Sequence, residues 1–118
     1  MDGILVLDDD ADVRDSMELA LQEAGAGYVL AAARFRDLEA SGVLDCSCAV
    51  LDVNLGPNEP TGIDAARWLR NQGFTGRILF LTGHAGAYPS IRQTCDELNA
   101  SLIEKPADID RLLDVISA

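Results

Sequence analysis

The sequence has no long apolar run. Its first one, Ile4 to Leu7, is four residues long and is followed at once by three aspartates. No stretch approaches the roughly 20 apolar residues of a membrane span, and no targeting signal opens the chain. A soluble, cytoplasmic protein with no membrane partner is therefore expected. Basic residues are scarce as well, with 9 Lys and Arg against 20 Asp and Glu and a net charge of −11. Nucleic-acid binding needs clustered Lys and Arg to displace counterions from phosphates. Here the few basic residues are scattered, which argues against nucleic acid as a direct partner. An acidic balance instead suits a bound cation or a basic protein partner.

Soft metal ligands are few. Cysteine is limited to Cys46, Cys48 and Cys95, and histidine to His84. An odd number of cysteines without a secretion signal implies reduced thiols. Their spacing matches no common zinc pattern, so they read as small buried core residues. Repeats, low-complexity tracts and linkers are missing too. The 118 residues are expected to form one domain, 1–118, large enough for a core without disulfide or metal staples.

What is present is a regular alternation. Ile4–Leu7 has the continuous apolar pattern of a strand buried on both faces. Val13, Met17, Ala20, Leu21 and Ala24 then recur at helical spacing, closed by Gly25 and Gly27. Tyr28 to Ala32 can form a second strand, followed by a short helix carrying Phe35 and Leu38 and ending near Ser41 and Gly42. Cys48–Leu51, Ile78–Leu81 and Ser101–Ile103 supply three more strands. Between and after them come helices from about Ile63 to Asn71, from Pro89 to Leu98, and through Ile109, Leu112, Leu113 and Ile116. Such βα alternation predicts a parallel α/β sheet with helices on both faces. Right-handed crossovers favour a doubly wound, flavodoxin-like sheet of five strands in the order 2-1-3-4-5. Ligands in that fold bind outside the carboxyl ends of the strands.

Those ends are polar. The first strand runs into Asp8, Asp9 and Asp10, the third into Asp52, the fourth into Thr82, and the fifth into Glu104, Lys105 and Pro106. Each alone has a plain explanation. An aspartate before a helix is commonly an N-cap, a threonine after a strand a turn residue, and a lone lysine a solvated one. Together they do not. Carboxylates about 4 Å apart repel by roughly 4 kcal/mol per pair at an effective dielectric of about 20. Lys105 offers one compensating charge, and a hard cation such as Mg²⁺ suits the remainder. Acids, hydroxyl and lysine in this arrangement suit phosphoryl transfer.

On Ile4–Asp10, Val50–Asn54, Phe80–Thr82 and Glu104–Pro106, the chain resembles the receiver domain of two-component response regulators along its whole length. The resemblance implies Asp8 and Asp9 as the acid pair, Asp9 binding Mg²⁺ (or Mn²⁺) directly and Asp8 through water. It implies Asp52 as phospho-acceptor and metal ligand, and the Asn54 backbone carbonyl as a further ligand. Lys105 would pair with the phosphoryl oxygens and Thr82 would hydrogen-bond them after transfer. The residues two past the acceptor and two past the threonine, Asn54 and His84, would tune dephosphorylation. The phosphodonor would be a sensor histidine kinase or a histidine phosphotransferase, and phosphorylation would switch contact with a downstream protein. Such a protein is not an enzyme, but an acceptor that assists its own phosphorylation and dephosphorylation. The family's cis peptide bond would fall at Lys105–Pro106.

The chain departs from the family pattern in four places. Gly56 precedes Pro57 and Gly62 arrives about two residues late; Gly83 follows Thr82 where alanine is common; Leu102 stands at a position that is often aromatic; and Ala87, Tyr88 and Pro89 occupy an ordinary helix start. A phosphorylation-independent pseudo-receiver is the alternative reading, and the complete acid pair, acceptor, threonine and lysine argue against it. An aspartyl-phosphate phosphatase would need an acid where Asn54 stands, and a flavodoxin-like cofactor protein would not place three aspartates beside a flavin phosphate. The chain stops soon after Pro106, as a stand-alone receiver would, while Met1 next to the first strand fits the N-terminal part of a longer regulator.

Overall fold

The computed structural model describes residues 3–38, 40–56, 60–83, 90–104 and 109–117. Five strands form one parallel sheet: β1 (Gly3–Leu7), β2 (Tyr28–Ala32), β3 (Cys48–Asp52), β4 (Arg77–Thr82) and β5 (Ala100–Glu104). Their order is β2-β1-β3-β4-β5, as the βα alternation predicts. The helices are α1 (Ala11–Glu23), α2 (Ala40–Val43), α3 (Gly62–Asn71), α4 (Ile91–Leu98) and α5 (Ile109–Ser117). None of the described helices is long and apolar enough to cross a membrane.

Strand periodicity divides the core into two layers. Successive side chains of a strand point to opposite faces. Ile4 and Val6 join Met17 and Leu21 of α1 and Leu112 and Ile116 of α5 on one face. Leu5 and Leu7 join Ala65, Ala66 and Leu69 of α3 and Ile91 and Cys95 of α4 on the other. All five residues of β1 and of β3 are buried, which is why those strands read as unbroken apolar runs rather than alternating ones. Burying one such Leu or Ile contributes about 1.5–3 kcal/mol, and the central strands are rich in them.

One element differs from its sequence expectation. The segment after β2 is not one short helix but a 3-10 turn, Phe35–Asp37, followed by α2. Phe35 and Leu38 are three apart, the spacing of a single 3-10 turn. Leu38 then turns extended, with ψ 135°, so helical hydrogen bonding cannot pass through it. Both side chains still pack on the α3 layer, and the Phe35 ring lies 5.6 Å from that of Trp68, tilted by 58°.

Two local devices fix the ends of the layers. Thr61 caps α3 with a reciprocal pair of bonds, its backbone N–H donating to Asp64 Oδ2 at 2.8 Å and its Oγ1 accepting from the Asp64 N–H at 3.3 Å. At the other end of α3, Arg70 donates to the carbonyls of Phe74 and Gly76 ahead of β4 and to that of Leu98 at the end of α4, at 2.8–2.9 Å. One guanidinium thus joins two turns at the amino edge of the sheet.

Candidate functional site at the carboxyl edge of the sheet

The residue after β1 is Asp8, and it is 1 % exposed. Its backbone N–H donates to the Ala32 carbonyl at 3.1 Å, which extends the β1–β2 ladder by one residue. Its Oδ1 accepts from the Asp10 N–H at 2.9 Å, and its carbonyl accepts from Arg14 Nη1 at 2.8 Å. Asp9 is exposed. Asp10 is the N-cap of α1, accepting from the N–H groups of Asp12 and Val13. The aspartate run therefore divides: the third is the helix cap, and the first two face the sheet edge.

Asp52 ends β3 and is 4 % exposed. Its Oδ1 accepts from the Asn54 N–H at 3.3 Å, while Asn54 Oδ1 accepts from the Gly56 N–H at 3.0 Å. These two bonds shape the start of the loop that follows. Asp52 is in register with Leu81, so Thr82 lies one residue further along the neighbouring strand; it is buried. Thr82 is in turn in register with Glu104 at the end of β5.

These elements bring three carboxylates together. One oxygen each from Asp8, Asp9 and Asp52 lies within 4.8 Å of the others, with Asp8 and Asp52 buried. At such separations the repulsion is roughly 3–4 kcal/mol per pair for an effective dielectric of about 20. The donor set is all hard oxygen, open to solvent on the Asp9 side, which is the chemistry that suits Mg²⁺ with retained waters. Among the described residues this is the one cluster of acidic, histidine or cysteine side chains with ligand spacing. The cysteines take no part in it. All three are buried free thiols, and burial raises each of their pKa values, that of Cys48 to about 11.

Lys105, Pro106 with its expected cis bond, and His84 lie outside the described residues, as do residues 57–59 of the loop that follows Asn54 and residues 87–89 ahead of α4. Leu102 lies on β5 in register with Phe80, half-buried against the α3 layer.

The comparisons with known proteins agree with the geometry. The model of the response regulator receiver domain matches residues 4–117. The chain belongs to that family. It is 33% identical over 115 residues to the transcriptional regulatory protein FixJ of Bradyrhizobium diazoefficiens, covering 98% of this chain and 55% of that protein. It is 30% identical over 111 residues to the C4-dicarboxylate transport transcriptional regulatory protein DctR of Rhodobacter capsulatus, covering 93% of this chain and again 55% of the relative. This receiver chain thus spans about half the length of the curated relatives it matches. Among solved structures, the Vibrio cholerae chemotaxis protein CheY4 superimposes with a TM-score of 0.81 at 26% identity, covering 99% of this chain and 97% of that one. The receiver domain of NtrX from Brucella abortus gives 0.80 at 26%, covering 97% and 94%. The fold is thus the flavodoxin-like receiver fold, and the chain is a two-component response-regulator receiver.

Two residues at this edge escaped sequence reasoning. Arg14 acts on a backbone carbonyl, which leaves no motif; the only available signal is a basic residue four positions into a helix capped by an aspartate. Gly62 was visible only as a glycine arriving late after the acceptor. The structure gives its reason, since it is where α3 meets the backbone of Asp52.

Proposed function

We propose that residues 1–118 are a single receiver domain that accepts a phosphoryl group on Asp52 and thereby alters its fit to a downstream protein. The observation that carries this is the Asp52 carboxylate, buried at the end of β3 with an oxygen within 4.8 Å of oxygens of Asp8 and Asp9. In the reaction an Asp52 oxygen attacks phosphorus. The P–N bond to the donor imidazole of a histidine kinase or phosphotransferase breaks as the new O–P bond forms; the nitrogen that carried phosphorus keeps the electron pair, and the other ring nitrogen holds a proton taken from solvent, so the donor leaves as neutral imidazole. A carboxylate is a weak nucleophile toward an anionic phosphoryl group, so the oxygens around phosphorus need positive charge.

Asp8, Asp9, Asp52 and the Asn54 backbone carbonyl are the groups that would hold Mg²⁺ (or Mn²⁺). When bound, the ion supplies charge against the phosphoryl oxygens. Lys105 adds a second cation, and the Thr82 hydroxyl donates to the phosphoryl group once it is on Asp52. Thr82 is supported by its buried place on the strand next to Asp52; Lys105 is supported by following Glu104 at the end of β5. Loss of the phosphoryl group is attack of water on phosphorus, which releases inorganic phosphate and restores the carboxylate. Asn54 and His84 tune that step. A cytoplasmic location belongs to the same proposal.

The test is incubation with acetyl phosphate and Mg²⁺. The intact mass should rise by one phosphoryl group, and chelation of the metal or Asp52→Asn should prevent the gain. Undiminished labelling of Asp52→Asn would overturn the assignment.

A further inference from the structure

We propose that Arg14 is a positioning residue that holds Asp8 in place for cation binding, an inference that rests on the cation site proposed above. Arg14 lies in α1, half-buried, and its Nη1 is 2.8 Å from the Asp8 carbonyl oxygen. Asp8 is thereby fixed at three points: to β2 through its N–H, to the start of α1 through its carboxylate, and to the body of α1 through its carbonyl. The anchor is firm because Met17 and Leu21 bury the same helix against the core. A charge-assisted bond from a guanidinium is stronger than one from a neutral donor. Asp9 rides on the same short connection between β1 and α1, so both acids inherit the restraint.

The charge of Arg14 and its hydrogen bond act on cation affinity in opposite directions. A guanidinium bonded to the Asp8 carbonyl places positive charge beside the acid that it anchors, so removing its charge alone tightens Mg²⁺ binding. Removing the bond leaves the Asp8 carbonyl without its tie to the body of α1 and loosens the site. Metal sites commonly lose about 10-fold or more in affinity when a residue that orients a ligand is removed. Positioning is therefore the stronger effect, and the sign of the change reports which one operates.

The experiment is calorimetric titration of Mg²⁺ into wild type, Arg14→Ala and Arg14→Lys at fixed ionic strength, with circular dichroism to establish that each variant is folded. Arg14→Ala should bind Mg²⁺ about 10-fold more weakly, and Arg14→Lys, whose shorter, flexible ammonium keeps the charge and holds the carbonyl bond only in part, should fall between. In labelling by acetyl phosphate, the Mg²⁺ concentration for half-maximal rate should rise in parallel while the rate at saturating Mg²⁺ changes little. Unchanged or tighter binding in Arg14→Ala overturns the inference. If that variant does not fold, Arg14→Lys decides: several-fold weaker binding supports the inference, and wild-type affinity overturns it. Absence of saturable Mg²⁺ binding in the wild type would instead overturn the cation site, and the Arg14 role with it.

Discussion

Gly62 and Asp52 meet backbone to backbone. A Cβ placed on Gly62 would fall 2.2 Å from the Asp52 carbonyl oxygen, 2.8 Å from its carbon and 3.2 Å from Val53 Cα. The Gly62 N–H also donates to the Val53 carbonyl at 3.0 Å. The first residue of α3 is thus pressed onto the backbone of the proposed acceptor, whatever path the intervening loop takes. Gly62→Ala has to move α3 or Asp52, since neither neighbour is a flexible side-chain tip. Overpacking of this kind costs about 1–3 kcal/mol, and a displaced Asp52 should also slow labelling by acetyl phosphate. A urea midpoint and a labelling rate both equal to wild type would show that the contact is tolerated.

The aspartate run offers a second test, because its members have different tasks. Asp10→Ala removes the cap bonds to Asp12 and Val13 and should cost about 1 kcal/mol of stability. Asp10→Asn keeps a capping oxygen and should lie within a few tenths of that of wild type. Asp9→Asn should instead raise the stability of the metal-free protein, by relieving repulsion with Asp8 and Asp52, and weaken Mg²⁺ binding. Denaturation and metal titration on the three variants separate the roles, and a loss of Mg²⁺ binding in Asp10→Asn as deep as in Asp9→Asn would contradict the division.

The strands were legible because β1, β3 and β4 are buried on both sides, which leaves continuous apolar runs with an abrupt polar end. That same abruptness exposed Asp8, Asp9, Asp52 and Thr82, since in a parallel sheet the residue after each run falls on one shared edge. The region after β2 was less legible. Phe35 and Leu38 fit a helical face, but a spacing of three cannot distinguish one 3-10 turn from a longer helix. Arg14 and Gly62 were hidden for a different reason: both act on backbone atoms of other elements, and no side-chain pattern encodes that.

Arg70 is a third such case, and it yields a stability prediction. Its guanidinium serves carbonyls of Phe74, Gly76 and Leu98 and stacks over the Phe74 ring at 5.7 Å. Partial burial lowers its pKa, yet an arginine stays charged throughout the accessible pH range. Arg70→Ala should destabilise the fold by about 2–3 kcal/mol, the range for hydrogen bonds to a charged group together with lost packing. Unfolding followed by Trp68 fluorescence measures it, and a change under about 0.5 kcal/mol would mean that water replaces the guanidinium without loss.

Buried thiols set an alkaline limit. The Cys48 pKa is raised from 9.0 to about 11, chiefly by burial, and those of Cys46 and Cys95 are raised for the same leading reason. Below pH 9 each thiol is neutral in both states and stability is unaffected. Between about pH 9 and 11 the unfolded thiols ionise first, so stability falls as pH rises, by about 2 kcal/mol for Cys48. Cys48→Ser would add a buried hydroxyl, so Cys48→Ala is the better control, and the alkaline slope should be shallower in it. Equal slopes would assign the loss to other groups.

The proposed mechanism requires that Asp52, and not a neighbouring acid, carry the phosphoryl group. Borohydride reduces an acyl phosphate to an alcohol and so converts the modified aspartate to homoserine, a change that peptide mass spectrometry locates. After incubation with acetyl phosphate and Mg²⁺, homoserine should appear at position 52 alone and be lost when the metal is chelated. Homoserine at position 8 or 9, or equal yield at position 52 without metal, would contradict that mechanism.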